Sequence, residues 1–240
     1  MAIRASGISK SYGNRRVLRC LDFEAGDGEV IALIGRNGVG KTTLLRTLAG
    51  LMKPDSGQVL IDGLDITAEQ MYLRCRVGVV LHASMLYPDL TAEENLRFFF
   101  QLYNLPAKPD AIQNMLAAVM LDKRGSDLVR TFSRGMQQRL SIARALVHSP
   151  SILLMDEPYT GLDQQSTSWL DELFKQSAAK GKTILFTSHD LEHSLSVSTR
   201  ADILHRGCIA RSFQSTELTA DRIRKEYHEL NAVLEKDVSA

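Results

Sequence analysis

The chain has 240 residues, a formal net charge of +1, 44% hydrophobic and 24% charged residues, a composition that fits a folded globular protein and excludes a disordered or fibrous one. The balanced charge contains no block of like sign, so a surface built mainly to neutralise nucleic-acid phosphates is not expected. The longest apolar runs, VIALI and SILLM, fall far short of the ~20 residues needed to cross a bilayer, and MAIRASGISKSYG has no secretory pattern.

In chain order, residues 3 to 23 alternate apolar and polar side chains around YGNRR, which predicts short antiparallel strands. EVIALI, residues 29 to 34, is a nearly continuous apolar run ending at Gly35, the pattern of a strand buried on both faces. TTLLRTLAG spaces its leucines as a helix does and stops at Gly50. KPDSGQVLIDG adds a turn and a strand. From about Pro88 to Leu140 the pattern is helical: TAEENLRFFFQLYNL opens on a threonine cap with a glutamate three residues on, and AIQNMLAAVML gives a second stripe. SILLMDEP (151 to 158) and KTILFTSHD (182 to 190) restore the buried strands, two more strands pair around HRGC, and RIRKEYHELNAVLEK is a charged helix. Cys20, Cys75 and Cys208 lack the close spacing of metal or redox motifs and read as buried thiols of a reducing cytoplasm.

Between the first buried strand and its helix lies GRNGVGKTT, residues 35 to 43, a full match to G-x-x-x-x-G-K-[ST] in the strand–loop–helix context that gives it meaning. Gly35, Gly38 and Gly40 let successive N–H groups turn inward, the helix start adds the positive end of its dipole, and Arg36, Asn37, Val39 and Thr43 complete the cradle. Lys41 would reach β and γ phosphates, and the Thr42 hydroxyl would coordinate magnesium. Glycine-rich turns ahead of helices are common; the lysine and threonine make this one a phosphate site. Asp156 and Glu157 end another apolar run. Neighbouring strand residues face opposite sides, so the strand end must bend for both carboxylates to serve one site.

Together with DEP at 156 to 158, the histidine of SHD at 189, FSRGMQQRLSIARAL at 132 to 146 and YTGLD at 159 to 163, the phosphate loop resembles the nucleotide-binding subunit of ABC transporters over almost the whole chain. The resemblance implies an α/β fold: a P-loop NTPase core of the ABC ATPase type (1–87 and 147–240) with an N-terminal antiparallel β subdomain and an inserted helical lobe (88–146), all in one domain over residues 1–240. It implies ATP and Mg2+, with Tyr12 stacking on the base, where GTP would also fit. Thr42 and Asp156 would hold the metal, Glu157 would be the general base, and His189 would contact the γ phosphate. Ser133 and Gly135 would offer a hydroxyl and N–H groups to a γ phosphate held by another copy. Arg134 and Met136 stand where the commonest spelling has glycine and glutamine, and Thr160 replaces a serine, with Asp163 at the dimer seam. His82 stands where most members carry a glutamine that touches magnesium and water; an imidazole takes up a proton just below neutrality, which implies a weaker or pH-sensitive metal contact.

Each copy supplies half of each ATP site, so the implied assembly is a head-to-tail pair with a second ATP-binding subunit, in the simplest case a homodimer. It would dock on a separate transmembrane permease subunit at the cytoplasmic face of the cell membrane, with no nucleic acid as partner. Met85, Leu86, Tyr87 and Phe98, Phe99 and Phe100 lie where the family receives a short coupling helix; three consecutive aromatics cannot all face one partner, so one or two are expected on the surface. LYPDLTAEENLRFFFQLYNL and FSRGMQQRLSIARAL further resemble the ATP-binding subunit of the haem exporter of cytochrome c maturation, and also the wider single-cassette exporters of drugs, polysaccharides and lipids. An iron–sulfur assembly ATPase is the rival of similar size, with differently spelled loops. Glu157 and His189 argue against a cassette that binds ATP without hydrolysing it.

Overall fold

Two sheets share the work of positioning the phosphate loop, as a computed structural model covering residues 1–68, 73–188, 190–214 and 219–237 shows. The first is a four-stranded antiparallel sheet in the order β2-β1-β4-β5, from β1 (Ile3–Tyr12), β2 (Arg15–Ala25), β4 (Ser56–Ile61) and β5 (Leu64–Asp65). The second has six strands in the order β10-β9-β3-β8-β7-β6: β3 (Val30–Ile34), β6 (Val77–Val80), β7 (Ile152–Met155), β8 (Thr183–Thr187), β9 (Arg200–His205) and β10 (Cys208–Gln214). Within it β6, β7, β8, β3 and β9 run parallel, and β10 turns back antiparallel on β9.

The apolar runs are continuous because this parallel sheet is covered on both faces. On β3, Ile31 and Leu33 enter a core shared with the antiparallel sheet and α1 (Lys41–Leu48), whereas Val30, Ala32 and Ile34 face the opposite core. That second core is closed by α5 (Gln164–Ala179), α6 (Leu191–Val197) and the start of α7 (Ala220–Asp237), through Phe174, Leu195 and Ile223. Strands β7 and β8 divide their residues between the same two cores, with Leu154 and Leu185 in one and Met155 and Phe186 in the other.

Between β6 and β7 the chain leaves the sheet to form α2 (Ala92–Leu102), α3 (Pro109–Ala118) and α4 (Arg134–Leu146), which bury a third cluster around Leu96, Ile112, Leu116 and Leu140. Helix α2 starts with the expected capping box: Thr91 Oγ1 accepts the Glu94 N–H at 3.1 Å, and Glu94 Oε2 accepts the Thr91 N–H at 2.8 Å. Gly50, at φ +67°, follows the last turn of α1 as the left-handed residue that ends it.

The three thiols correct the sequence expectation. Cys20 and Cys75 are exposed and Cys208 is half-buried. Cys20 adopts φ 46° where the β1–β2 register shifts, which turns it off the inward face of the sheet.

Candidate functional site

The parallel arrangement sends the ends of β3, β7 and β8 to one edge of the sheet, and the chemistry gathers there. Gly40 caps α1 at φ +121°, a conformation only glycine takes easily, and a side chain would also meet Val17 Cγ1 at 3.0 Å and Leu18 Cδ2 at 3.1 Å. The first N–H groups of α1 lack intrahelical partners, as at any helix start, and Lys41 is the first residue of that turn. Its ammonium donates to the Gly35 carbonyl at 2.6 Å and to the Arg36 carbonyl at 3.4 Å, so the lysine folds back along the inside of the loop. Burial lowers the Lys41 pKa from its ordinary value, and the carboxylates of Glu157 and Asp156 oppose that shift.

Three side chains and one backbone group form a connected line. Thr42 Oγ1 donates to Asp156 Oδ2 at 2.7 Å, Thr187 Oγ1 donates to Asp156 Oδ1 at 2.8 Å, and the Glu157 N–H donates to the same Thr187 hydroxyl at 2.9 Å. Thr160 Oγ1 reaches Glu157 Oε2 at 3.4 Å. Strand β7 ends at Met155, and the bend required for two adjacent carboxylates is found just beyond it: Asp156 donates its N–H to the Val80 carbonyl at 2.8 Å, and Glu157 takes φ +52°. A non-glycine residue in that region is strained by about 1–3 kcal/mol, and the Thr187 hydroxyl is one of the contacts that hold it.

These residues suit MgATP. A carboxylate and a hydroxyl at hydrogen-bond distance supply the hard oxygens that magnesium requires, and a buried cation beside a helix start suits a triphosphate. Thr187 was not singled out by sequence reasoning. Its signal is a threonine that ends an apolar strand and is fully buried, which demands a hydrogen-bond partner.

His82 is exposed and lies two residues beyond Val80, the residue whose carbonyl receives Asp156, so it sits at the same sheet edge. His189 lies outside the described residues. Tyr12 ends β1, is 48% exposed, and points its hydroxyl at Met52 Sδ, 3.1 Å away, leaving the ring available for stacking. A cleft of about 740 Å3 opens at the loop tip, lined by Arg15, Arg16, Arg19, Arg36 and Arg206. Arg15 Nη2 donates to the Gly38 carbonyl at 3.0 Å and ties the β1–β2 hairpin to the loop. Burial first, then Arg206 and Arg36, lower the pKa of His205 at this cleft.

Ser133 and Gly135 belong to a different assembly within the chain. Ser133 caps α4, its Oγ accepting the Met136 N–H at 3.3 Å. A Cβ on Gly135 would stand 2.5 Å from the Gly161 carbonyl oxygen, and Gln138 Nε2 donates to the Pro158 carbonyl at 3.1 Å. The loop at 132–135 is therefore locked to the segment that follows Glu157. Among the described residues, no hydrogen bond links Ser133 or Gly135 to the phosphate loop of the same chain.

A strand, phosphate loop and helix with a magnesium-compatible carboxylate at the end of β7, the next strand but one in the sheet, define a P-loop nucleotide-binding protein. Residues 18–160 match the family model described as ABC transporter, and the chain belongs to that family. It is 37% identical over 208 residues, 85% of this chain and 67% of the relative, to the linearmycin resistance ATP-binding protein LnrL of Bacillus subtilis. A Nod factor export ATP-binding protein I of Paraburkholderia xenovorans is 38% identical over 86% of this chain and 68% of its own length. A sulfate/thiosulfate import ATP-binding protein of Caulobacter vibrioides is 38% identical over 87% and 63%. Among solved structures, the ATP-binding subunit of an ABC transporter superposes with a TM-score of 0.84 at 29% identity, covering 98% of this chain and 100% of its own. A dimeric ATP-binding cassette in a post-hydrolysis state with ADP and Pi superposes with a TM-score of 0.79 at 26% identity, covering 89% of this chain and 98% of its own. The chain has the ABC ATPase fold and is an ATP hydrolase.

Proposed function

We propose that this chain pairs with a second ATP-binding subunit, in the simplest case another copy, and that its ATP turnover drives export through a separate membrane subunit. The observation that carries the catalytic part is the line Thr42–Asp156–Thr187–Glu157 beside the buried Lys41. Lys41 and the helix start hold the β and γ phosphates. Glu157 accepts a proton from the water that attacks the γ phosphorus, and the bond to the leaving ADP oxygen breaks. Thr42 and Asp156 would hold Mg2+, with His82 at the same edge; when bound, the ion offsets charge on the phosphate oxygens. The γ-phosphate contact of His189 rests on the family resemblance.

Pairing is supported by the separation of the site's two halves. Among the described residues the Ser133 helix tip has no hydrogen bond to its own phosphate loop, and a helix start with a hydroxyl cap suits a phosphate presented by another copy. The dimeric cassette among the structural neighbours supports the same reading.

A membrane partner is supported by the surface between sheet and helical segment. Leu51, Met85, Tyr87, Phe98 and Leu102, five large hydrophobics that are at least 37% exposed, lie in or beside a groove of about 320 Å3 between α1 and α2. Phe99 and Phe100 are buried, which leaves Phe98 as the exposed member of the aromatic triplet. None of the described helices is long and apolar enough to cross a membrane, and the proposal assigns the spanning path to a separate subunit. In this reading the chain works peripherally, at the cytoplasmic face of the membrane. Export is favoured because relatives named for Nod factor export and linearmycin resistance are among those similar to it. Export of haem for cytochrome c maturation is the narrower form of the proposal and rests on the two motif stretches alone.

The test is Glu157→Gln in the purified chain, with and without its membrane subunit. ATP binding should persist while turnover falls by at least about a hundredfold. Turnover equal to the unmodified chain removes Glu157 as the base.

A further inference from the structure

Behind the carboxylate pair lies a second polar cluster that the hydrolytic reading does not use. Tyr159, two residues after Glu157, donates its hydroxyl to Asp171 Oδ1 at 2.9 Å. His193 Nε2 lies 3.0 Å from the same oxygen. The three residues come from three elements: the loop after β7, helix α5 and helix α6. They are partly enclosed, the Asp171 and His193 side chains being 21% and 25% exposed. The Tyr159 ring packs edge-on against His193 at 4.6 Å and contacts Phe174 and Phe186 at 5.9 and 6.0 Å, so its position is fixed by packing as well as by its hydroxyl. Burial, with Asp171 beside it, raises the Tyr159 pKa, so the phenol remains a donor. An ionised Asp171 only accepts, so the imidazole nitrogen facing it is the protonated one.

The cluster continues to the other flank of the site. The His193 backbone N–H donates to Asp190 Oδ1 at 3.0 Å, the cap of α6, and Asp190 directly follows His189 in the sequence. A carboxylate in one core helix thus joins the segment after Glu157 to the helix after His189.

We propose that Asp171 is a positioning residue for ATP hydrolysis: through Tyr159 and His193 it holds the segment that follows Glu157 and the start of α6 in one register. This rests on the reading of Glu157 as the base. Asp171 acts through these two side chains and not on the nucleotide itself. Its loss loosens the approach of base to water and leaves the phosphate loop as it is.

The experiment measures kcat, KM and fluorescent-nucleotide affinity, together with Tm, for Asp171→Ala, Tyr159→Phe, the double variant and Asp171→Asn, beside Glu157→Gln in the same preparation. The expected result is a fall in kcat of about tenfold for Tyr159→Phe, the effect of losing one hydrogen bond to a charged acceptor, and at least as large a fall for Asp171→Ala, which also releases His193, with nucleotide affinity within twofold of the unmodified chain in both. The double variant should be no slower than Asp171→Ala, because both substitutions break one connection. Asp171→Asn keeps an acceptor oxygen and should recover most of the rate. Should Asp171→Ala fail to fold, Tyr159→Phe, which removes a single oxygen, decides alone. Unchanged kcat, a loss of nucleotide affinity equal to the loss of rate, or a double variant with multiplied defects overturns the proposal. Failure of the underlying reading shows separately, as turnover retained by Glu157→Gln.

Discussion

Replacing Thr187 with valine removes one hydroxyl at nearly constant volume and breaks two contacts at once. The hydroxyl donates to Asp156 Oδ1 at 2.8 Å and accepts the Glu157 N–H at 2.9 Å, in a residue that is fully buried. A hydrogen bond to an ionised acceptor contributes roughly 1.5–3 kcal/mol and a neutral one about 0.5–1.5, so the native state should lose about 2–4 kcal/mol. In a chain of this size each kcal/mol moves Tm by roughly 2–4 °C, which gives a fall of about 5–15 °C. The strained φ of +52° at Glu157 also loses an anchor, so kcat should drop by more than tenfold, on the order of 1.4 kcal/mol or more in barrier. Thr187→Ser restores the hydroxyl and should recover both properties to a large extent. Thermal melting and steady-state ATPase measurements on the three proteins decide the matter. Refutation is a valine variant that melts within about 2 °C of the unmodified chain and turns over ATP at the same rate.

Gly135→Ala puts a methyl carbon 2.5 Å from the Gly161 carbonyl oxygen, so the two loops must separate; we expect a stability loss of about 1–3 kcal/mol by denaturant titration and weakened turnover, with nucleotide affinity of the isolated chain kept. His148, stacked on Tyr103 at 4.0 Å and facing the Val77 carbonyl at 3.3 Å, has its pKa lowered to about 4, chiefly by burial. Between pH 6.5, its ordinary value, and about 4 the unfolded chain binds a proton that the folded chain refuses, so stability falls as pH is lowered through this window and is unaffected by this group above it. Melting temperatures of His148→Gln should show a shallower pH slope there than those of the unmodified chain; parallel slopes contradict the assignment.

Much of the fold was legible because local signals and tertiary demands agree. The runs at 30–34, 152–155 and 183–187 are strands buried on both faces. Thr91 with Glu94 and Gly50 mark helix ends by hydrogen-bonding and backbone chemistry that operate within a few residues. The phosphate loop is local in the same sense, and Lys41, Thr42, Asp156 and Glu157 come together because β3 and β7 end at one edge. What sequence reading missed depends on long-range pairing: Thr187 with Asp156, Gly135 with Gly161, Arg15 with Gly38, and Tyr159 with Asp171 and His193. The thiols were misplaced for the same reason, since a register shift in the β1–β2 ladder decides which way Cys20 faces.

The claim on which the proposed function most depends is that the Ser133 helix tip completes the ATP site of a second copy. Light scattering after size exclusion on Glu157→Gln with saturating MgATP measures this directly. The account predicts a dimer in MgATP that reverts to monomer with MgADP, and that Ser133→Ala weakens. A Glu157→Gln chain that stays monomeric in MgATP, both alone and bound to its membrane subunit, contradicts it.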